Sequence, residues 1–220
     1  MSSLVVDGGK RLSGEICVGG SKNAALPLLF SSIVTDGIST FFDIPDITDV
    51  RVAVEILKDF GAEIAFLENK LVVDTRFLKY REPSSELVEK IRASTYLLGA
   101  MLARFGKTKL YKFGGCNFCA RPIDMHLDAI KSFGGIIDGD NIYADKLIGC
   151  DIYFEKASVG ATINTIIMAS RALGVTRIFG YAREPHVLCL VNFLRSAGVK
   201  IFCNGGYLEI EGGIDKATKG

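Results

Sequence analysis

The chain has 220 residues, of which 49% are apolar, and a formal net charge of +1. That length predicts one large domain or two small ones with ample material for a core. The near-neutral balance, with no interleaving of aromatic and basic residues, argues against a nucleic-acid partner. The longest apolar run, Ala24 to Val34, is too short for a bilayer and holds Pro27 and two serines, so no membrane span is expected.

In chain order, residues 1–19 begin Met1-Ser2-Ser3 and continue through Asp7-Gly8-Gly9-Lys10-Arg11, which is not a signal peptide. A cytoplasmic location is the expectation, and with it thiols rather than disulfides for the six cysteines. The stretch reads as a separate strand-rich piece. Residues 20–220 then read as one domain of three repeated units, about 20–74, 90–145 and 155–211. Each unit has an apolar helix, a glycine, a short strand, an amphipathic helix, a second glycine and a hairpin.

In the first unit, Ala24–Val34 is apolar nearly all round, the mark of a helix buried on most sides. Val50, Ala53, Val54 and Leu57 follow at helical spacing, and a hairpin pairs Glu63–Phe66 with Lys70–Asp74 across Glu68-Asn69. Residues 75–89 look like a polar connector. The second unit has Ser94–Ala103, a helix carrying Ile123, His126, Leu127 and Ile130, and a hairpin of Ile136–Ile137 with Asn141–Ala144. Residues 146–154 look like another connector. The third has Ala161–Leu173, a helix carrying Leu190, Phe193, Leu194 and Ala197, and a hairpin of Lys200–Cys203 with Tyr207–Ile210. The expected fold is α/β, with interior helices and outer sheets.

Each apolar helix is preceded or opened by a cation: Lys22, Arg92 and Lys156. Ser21 is a candidate N-cap. A helix N-terminus favours anions by about 0.3–1 kcal/mol, so a cation there is mildly unfavourable unless an anion lies between. If the units are related by rotation, the three helix starts converge into an anion site. The alternative is that these cations reach out to solvent at the edge of buried helices.

The middle unit alone carries four extra residues between its paired glycines, Gly106 and Gly134, than Gly37 and Gly61 or Gly174 and Gly198 enclose. The excess falls in Gly114-Gly115-Cys116-Asn117-Phe118-Cys119-Ala120-Arg121-Pro122. The two glycines open backbone angles closed to other residues. A thiol of ordinary pKa, about 8.5, is mostly protonated at neutral pH and can donate a proton, which singles out Cys116. Arg121 offers a planar fork for phosphate or carboxylate. Pro122 suits the first turn of the helix that continues through Asp124 and His126. Cys17, Cys150, Cys189 and Cys203 read as small buried hydrophobes. Cys116 and Cys119 also form a C-x-x-C. As a zinc site it lacks further ligands at suitable spacing, and as a dithiol motif it lacks the usual βαβ context. His126 falls on the apolar face of its helix, as a core or edge histidine. No glycine-rich nucleotide loop is present.

Several motifs then resemble one family in order along the chain: Gly20-Ser21-Lys22-Asn23-Ala24-Ala25-Leu26-Pro27, Arg92-Ala93-Ser94, Gly114-Gly115-Cys116, Ala120-Arg121-Pro122-Ile123-Asp124-Met125-His126, Ser158-Val159-Gly160-Ala161-Thr162 and Arg183-Glu184-Pro185. They are similar to the UDP-N-acetylglucosamine 1-carboxyvinyltransferases, enolpyruvyl transferases of peptidoglycan synthesis. The related 3-phosphoshikimate carboxyvinyltransferases share the fold but lack the cysteine loop.

The resemblance implies an inverted α/β prism and transfer of the enolpyruvyl group of phosphoenolpyruvate to the 3′-hydroxyl of UDP-N-acetylglucosamine, with release of phosphate and no metal or organic cofactor. It implies Cys116 as the proton donor and target of fosfomycin-type alkylation, and Lys22 as a second catalytic group. Phosphoenolpyruvate would be held by Lys22, Asn23, Arg92 and Arg121. The sugar nucleotide would be held by Asn23, Arg92, Arg121, Pro122, Ile123, Asp124, Met125, Lys156, Ala157, Ser158, Val159 and Gly160. Phe113, Asn117, Phe118, Cys119 and His186 depart from the family pattern, and Tyr96 stands where a larger aromatic is common. The family has a second prism domain, which supplies a base and another arginine and against which residues 1–19 pack. The expectation is therefore a half that is inactive alone and works with a second-domain partner chain. A non-catalytic UDP-sugar-binding or regulatory module, a 3-phosphoshikimate carboxyvinyltransferase-like enzyme and a zinc or redox protein are the alternatives.

Overall fold

The structure is a computed structural model that describes residues 3–67, 70–114 and 122–213. The first unit is α1 (Lys22–Thr35), β1 (Ile38–Phe42), α2 (Thr48–Asp59), β2 (Glu63–Leu67) and β3 (Lys70–Asp74). A short α3 (Ser85–Val88) and a 3-10 turn (Arg92–Thr95) lead into α4 (Tyr96–Phe105) and β4 (Lys107–Lys109). Then come α5 (Asp124–Ser132), β5 (Ile136–Asp138), β6 (Asn141–Tyr143) and β7 (Asp151–Tyr153). The third unit is α6 (Val159–Ala169), β8 (Val175–Phe179), α7 (Pro185–Ser196), β9 (Lys200–Cys203) and β10 (Tyr207–Glu211).

The repeat is written into the sheets. Their strand orders are β1-β3-β2, β4-β6-β5 and β7-β8-β10-β9. In each, the strand after the interior helix pairs antiparallel with the last hairpin strand, which pairs with the first. The three apolar helices α1, α4 and α6 pack on one another, with α2 and α7 against α1 and α5 against α6. Leu29, Phe30, Ile33, Leu97, Leu98, Ile163, Ile166 and Ile167 are all fully buried in the resulting core. Helices apolar on every side end up inside because no polar face is left to show to water.

All three amphipathic helices stop in the same way. Gly61, Gly134 and Gly198 have φ of 93°, 89° and 95°. The following N–H of Ala62, Gly135 and Val199 bonds back to Leu57, Ile130 and Leu194. This is a Schellman-type cap, and its positive φ is why the repeat keeps a glycine there. After α1 the left-handed residue is Asp36 (φ 54°), not Gly37, and its carboxylate is held by Arg104 at 2.6 Å.

Three expectations need correction. Residues 3–19 form no strand and are almost wholly exposed. A strand needs a neighbouring ladder, and this arm pairs with none of the three sheets. The stretch 146–154 is not merely a connector. Its β7 pairs parallel with β8, extending the third sheet, and Ile148 bridges to Leu173. Among the lone cysteines, Cys17, Cys189 and Cys203 are exposed and Cys150 is half-buried, so none is a core hydrophobe. Cys17 is on the arm, Cys150 just before β7, Cys189 on α7 and Cys203 at the end of β9.

Candidate active site

The N-terminal ends of the six longer helices meet at one cavity of about 610 Å3. Its lining takes Lys22 and Asn23 from α1, Asp49 from α2, Arg92 and Tyr96 from the turn into α4, Asp124 and Met125 from α5, Val159 and Gly160 from α6, and Glu184 and His186 from α7. The first N–H groups of a helix have no partner within it, and each N-terminus carries roughly half a positive charge. Six such ends around one space make a strongly anion-seeking site. The convergence follows from the repeat: each unit contributes one interior and one outer helix, and all run the same way.

Lys22 opens α1, where the dipole is against it, and its Nζ lies 3.2 Å from Asp49 in the first turn of α2. An acid is well placed at that turn and offsets the cation next door. Ser21 is the N-cap residue of α1, but its carbonyl, not its hydroxyl, takes the bonds from Ala24 and Ala25. Ser158 does cap with its side chain, accepting from the N–H of Ala161 at 3.4 Å. Pro27 sits inside α1 and lines the cavity. It lacks the N–H that would bond the carbonyl of Asn23 in an uninterrupted helix.

Beneath these groups lies a buried polar cluster. The amide nitrogen of Asn164 (1% exposed) is 2.9 Å from the carbonyl of Thr95 and 2.7 Å from Nδ1 of His126 (5% exposed). Its oxygen accepts from the N–H of Gly99 at 2.9 Å. Burial, reinforced by the nearby Arg92 charge, lowers the His126 pKa to about 4, against a smaller opposing pull from Asp124. Burial likewise pushes the Tyr96 phenol up to about 12, so it stays protonated as a donor. Tyr96 rests edge-on against Phe30, ring centroids 6.4 Å apart.

The expected residues divide clearly. Lys22, Asn23, Arg92, Pro122, Asp124, Met125, Ser158, Val159 and Gly160 all line the cavity. Lys156 does not: it borders a neighbouring cavity of about 600 Å3 between α5 and β7, which shares Asp124 and Met125 with the first. The three helix starts do converge, but the third cation stands three residues ahead of α6 and reaches the other side of α5. Ile123 and Ala157 line neither cavity. Ile123 instead offers its carbonyl to the N–H groups of His126 and Leu127. Pro122 precedes α5, which begins at Asp124, so it belongs to the cavity wall and not to the helix.

Cys116, Cys119 and Arg121 lie outside the described residues. Of the described ends of their loop, Pro122 lines the cavity and Gly114 packs on the backbone just before Arg92. A Cβ on Gly114 would fall 1.8 Å from the carbonyl oxygen of Glu89 and 3.0 Å from the nitrogen of Ile91. Close backbone approach beside Arg92, not a positive φ, is what requires glycine there. The sequence reading missed Asp49 and Asn164 and left Glu184 and His186 without roles. Glu184 carried a signal in Arg183-Glu184-Pro185, and His186 one as a departure from the family pattern just after it. Among the described residues no cluster of His, Cys, Asp or Glu is arranged to hold a metal, and no helix is long and apolar enough to cross a membrane.

The sequence profile of the EPSP synthase (3-phosphoshikimate 1-carboxyvinyltransferase) family matches residues 6–219. The UDP-N-acetylglucosamine 1-carboxyvinyltransferase of Desulforapulum autotrophicum is 41% identical over 98% of this chain and 52% of its own length. The enzyme of that name from Chlorobaculum parvum is 40% identical over 98% and 53%. In three dimensions the chain is similar to the enolpyruvyl transferase NikO of Streptomyces tendae, with a TM-score of 0.82, 25% identity, and coverage of 95% of this chain and 51% of that one. An EPSP synthase of Acinetobacter baumannii shares the fold at a TM-score of 0.72, 17% identity, and coverage of 91% and 47%. The chain spans about half the length of the relatives it matches.

Proposed function

From the premise that the chain belongs to the EPSP synthase family, we propose that it is the catalytic-loop half of a UDP-N-acetylglucosamine 1-carboxyvinyltransferase. The reaction moves the enolpyruvyl group of phosphoenolpyruvate to the 3′-hydroxyl of UDP-N-acetylglucosamine, in the cytoplasm, at the entry to peptidoglycan synthesis. The observation that carries this reading is the single cavity where six helix N-termini, Lys22 and Arg92 meet. Both substrates are anions, and fixed dipoles with two cations can hold them without reorganising as charge moves. The names of the relatives favour the sugar nucleotide over a shikimate acceptor.

In this mechanism Lys22 exchanges its contact with Asp49 for the phosphate of phosphoenolpyruvate. Asn23, Arg92 and Arg121 complete the clamp, each charge-assisted hydrogen bond contributing about 1.5–3 kcal/mol. The Cys116 thiol protonates the methylene carbon of phosphoenolpyruvate while the 3′-oxygen bonds to its neighbouring carbon. The hydroxyl proton passes to a base on the second half. The tetrahedral intermediate regains its double bond by losing a methyl proton to the Cys116 thiolate, which becomes the thiol again, and expelling phosphate. Pro122, Asp124, Met125 and the start of α6 take the nucleotide, with Lys156 and its neighbouring cavity as the continuation.

The test is phosphate release from phosphoenolpyruvate by the purified chain, alone and with a supplied second domain. The expected result is none alone and clear turnover on complementation. In the complemented assay Cys116→Ser should lower the rate by about 10²–10⁴-fold, the usual weight of a general acid. Full turnover by the chain alone, or an unaffected serine variant, would overturn the corresponding part. A non-catalytic UDP-sugar-binding module is the second reading, in which the cavity of helix N-termini holds the nucleotide and does no chemistry. It predicts binding of the nucleotide and no gain from any second domain.

A further inference from the structure

The Asn164 cluster has a chemical consequence for the cavity above it. The amide of Asn164 can face its neighbours in only one orientation. Its oxygen meets the Gly99 N–H and its nitrogen meets the Thr95 carbonyl. Turned over, it would set oxygen against oxygen and N–H against N–H, with both contacts buried and neither satisfied. In the orientation that satisfies both, the second amide hydrogen points at Nδ1 of His126, 2.7 Å away. Nδ1 must then be the acceptor, so a neutral ring carries its proton on Nε2.

We infer that Asn164 is a positioning residue that holds His126 as the neutral Nε2–H tautomer, an uncharged donor presented to an acceptor oxygen of the sugar nucleotide. A protonated imidazole would put N–H against the Asn164 amide hydrogen in a buried place. The groups around the ring act in the same direction on balance. Burial and Arg92 on the turn before α4 both oppose a charge, and together they outweigh Asp124 on α5, which favours one. Lys22, Asp49, Glu184 and His186 face the same cavity from α1, α2 and the start of α7. The Nε2 edge is uncovered because residue 160 has no side chain. A Cβ there would stand 3.1 Å from Nε2 and 3.2 Å from Cε1. The cavity thus has charged groups for charged parts of its ligands and, in His126, a neutral donor for an oxygen that should not be over-neutralised. The tautomer stands on geometry alone, and only the identity of the acceptor rests on the proposed function.

The chain has two histidines, so long-range 1H–15N spectra of the full chain are readily assigned with His186→Gln as the reference variant. His126 should show the Nε2–H pattern and no titration between about pH 5 and about pH 8, the window where an ordinary imidazole changes charge. Asn164→Asp, which replaces the donor by a carboxylate, should bring a His126 titration into that window. A parent His126 that titrates there, or that carries its proton on Nδ1, overturns the assignment. UDP-N-acetylglucosamine added to the parent should shift the Nε2 resonance. His126→Gln, which can keep a donor near that position, should bind at least about 10-fold more tightly than His126→Leu, the worth of one buried hydrogen bond. Binding with no shift at Nε2 and equal affinity in both variants overturns the donor role while the proposed function stands. Absence of any binding by the parent overturns the proposed function and the donor role together, and the tautomer is still decided by the spectrum.

Discussion

Lys22 and His126 show two ways in which a cavity of this kind handles charge. Lys22 is half exposed and answers an opposing helix dipole by pairing with Asp49, a contact weak enough to be exchanged for a ligand phosphate. His126 is buried and answers the same positive surroundings by staying neutral. Its depressed pKa has a consequence for stability. The unfolded chain binds a proton at His126 below its ordinary pKa of about 6.5, and the folded chain does not until about pH 4. Stability from this residue is complete above the unfolded value and is lost as pH falls toward the folded one, a span worth about 3 kcal/mol. Urea unfolding at a series of pH values should show this loss, and His126→Gln should remove it. Asp46 and Asp74 are also held below the usual carboxylate range, by Arg51 and Arg76, but they titrate in more acid solution and do not share the window.

Among the elements, α4 and α6 approach each other closely. A Cβ on Gly99 would fall 2.6 Å from Oδ1 and 2.8 Å from the backbone oxygen of Asn164. The hydrogen bond from the Gly99 N–H to that side chain depends on this proximity. Gly99→Ala should therefore separate two interior helices and cost about 1–3 kcal/mol, as overpacking of a tight core does. Gly61→Ala makes the comparison: nothing lies within 4 Å of its Cβ position, and only the φ of 93° opposes it. Its expected cost is about 1 kcal/mol. Chemical denaturation of both variants checks the order, and only Gly99→Ala should also disturb the His126 resonances. At this scale the sequence reading did well where a pattern had one physical cause. The apolar helices, the amphipathic helices and the hairpins all formed within a few residues of their expected bounds. It failed for β7, three residues long, whose pairing with β8 is set by a sheet already built and not by any alternation of its own.

For the whole molecule, the arm before Gly20 is the informative part. Leu4, Val5, Val6, Leu12, Ile16 and Val18 are each at least 78% exposed. A segment that buries so little contributes little to stability. Removing residues 1–19 should leave the thermal midpoint of the remainder unchanged. The same truncation should abolish complementation by a second domain, if the arm packs against the second half as the resemblance implies. Calorimetry and the phosphate-release assay measure the two outcomes. Unchanged complementation would remove the arm from that interface.

Much of the site was legible in the chain itself. Lys22 and Arg92 stand out because a threefold repeat puts a cation before each apolar helix, and both line the cavity, while the motifs carried the resemblance to one family. Local sequence also determined the elements, since apolar periodicity and a glycine at positive φ act within a few residues. Tertiary structure alone decided which of those groups share a space. Whether Lys156 faces the first cavity or the second, whether Asp49 reaches Lys22, and whether Asn164 can fix the proton on His126 all depend on how helices distant in sequence cross. Those contacts are set by core packing, which no short stretch of sequence encodes.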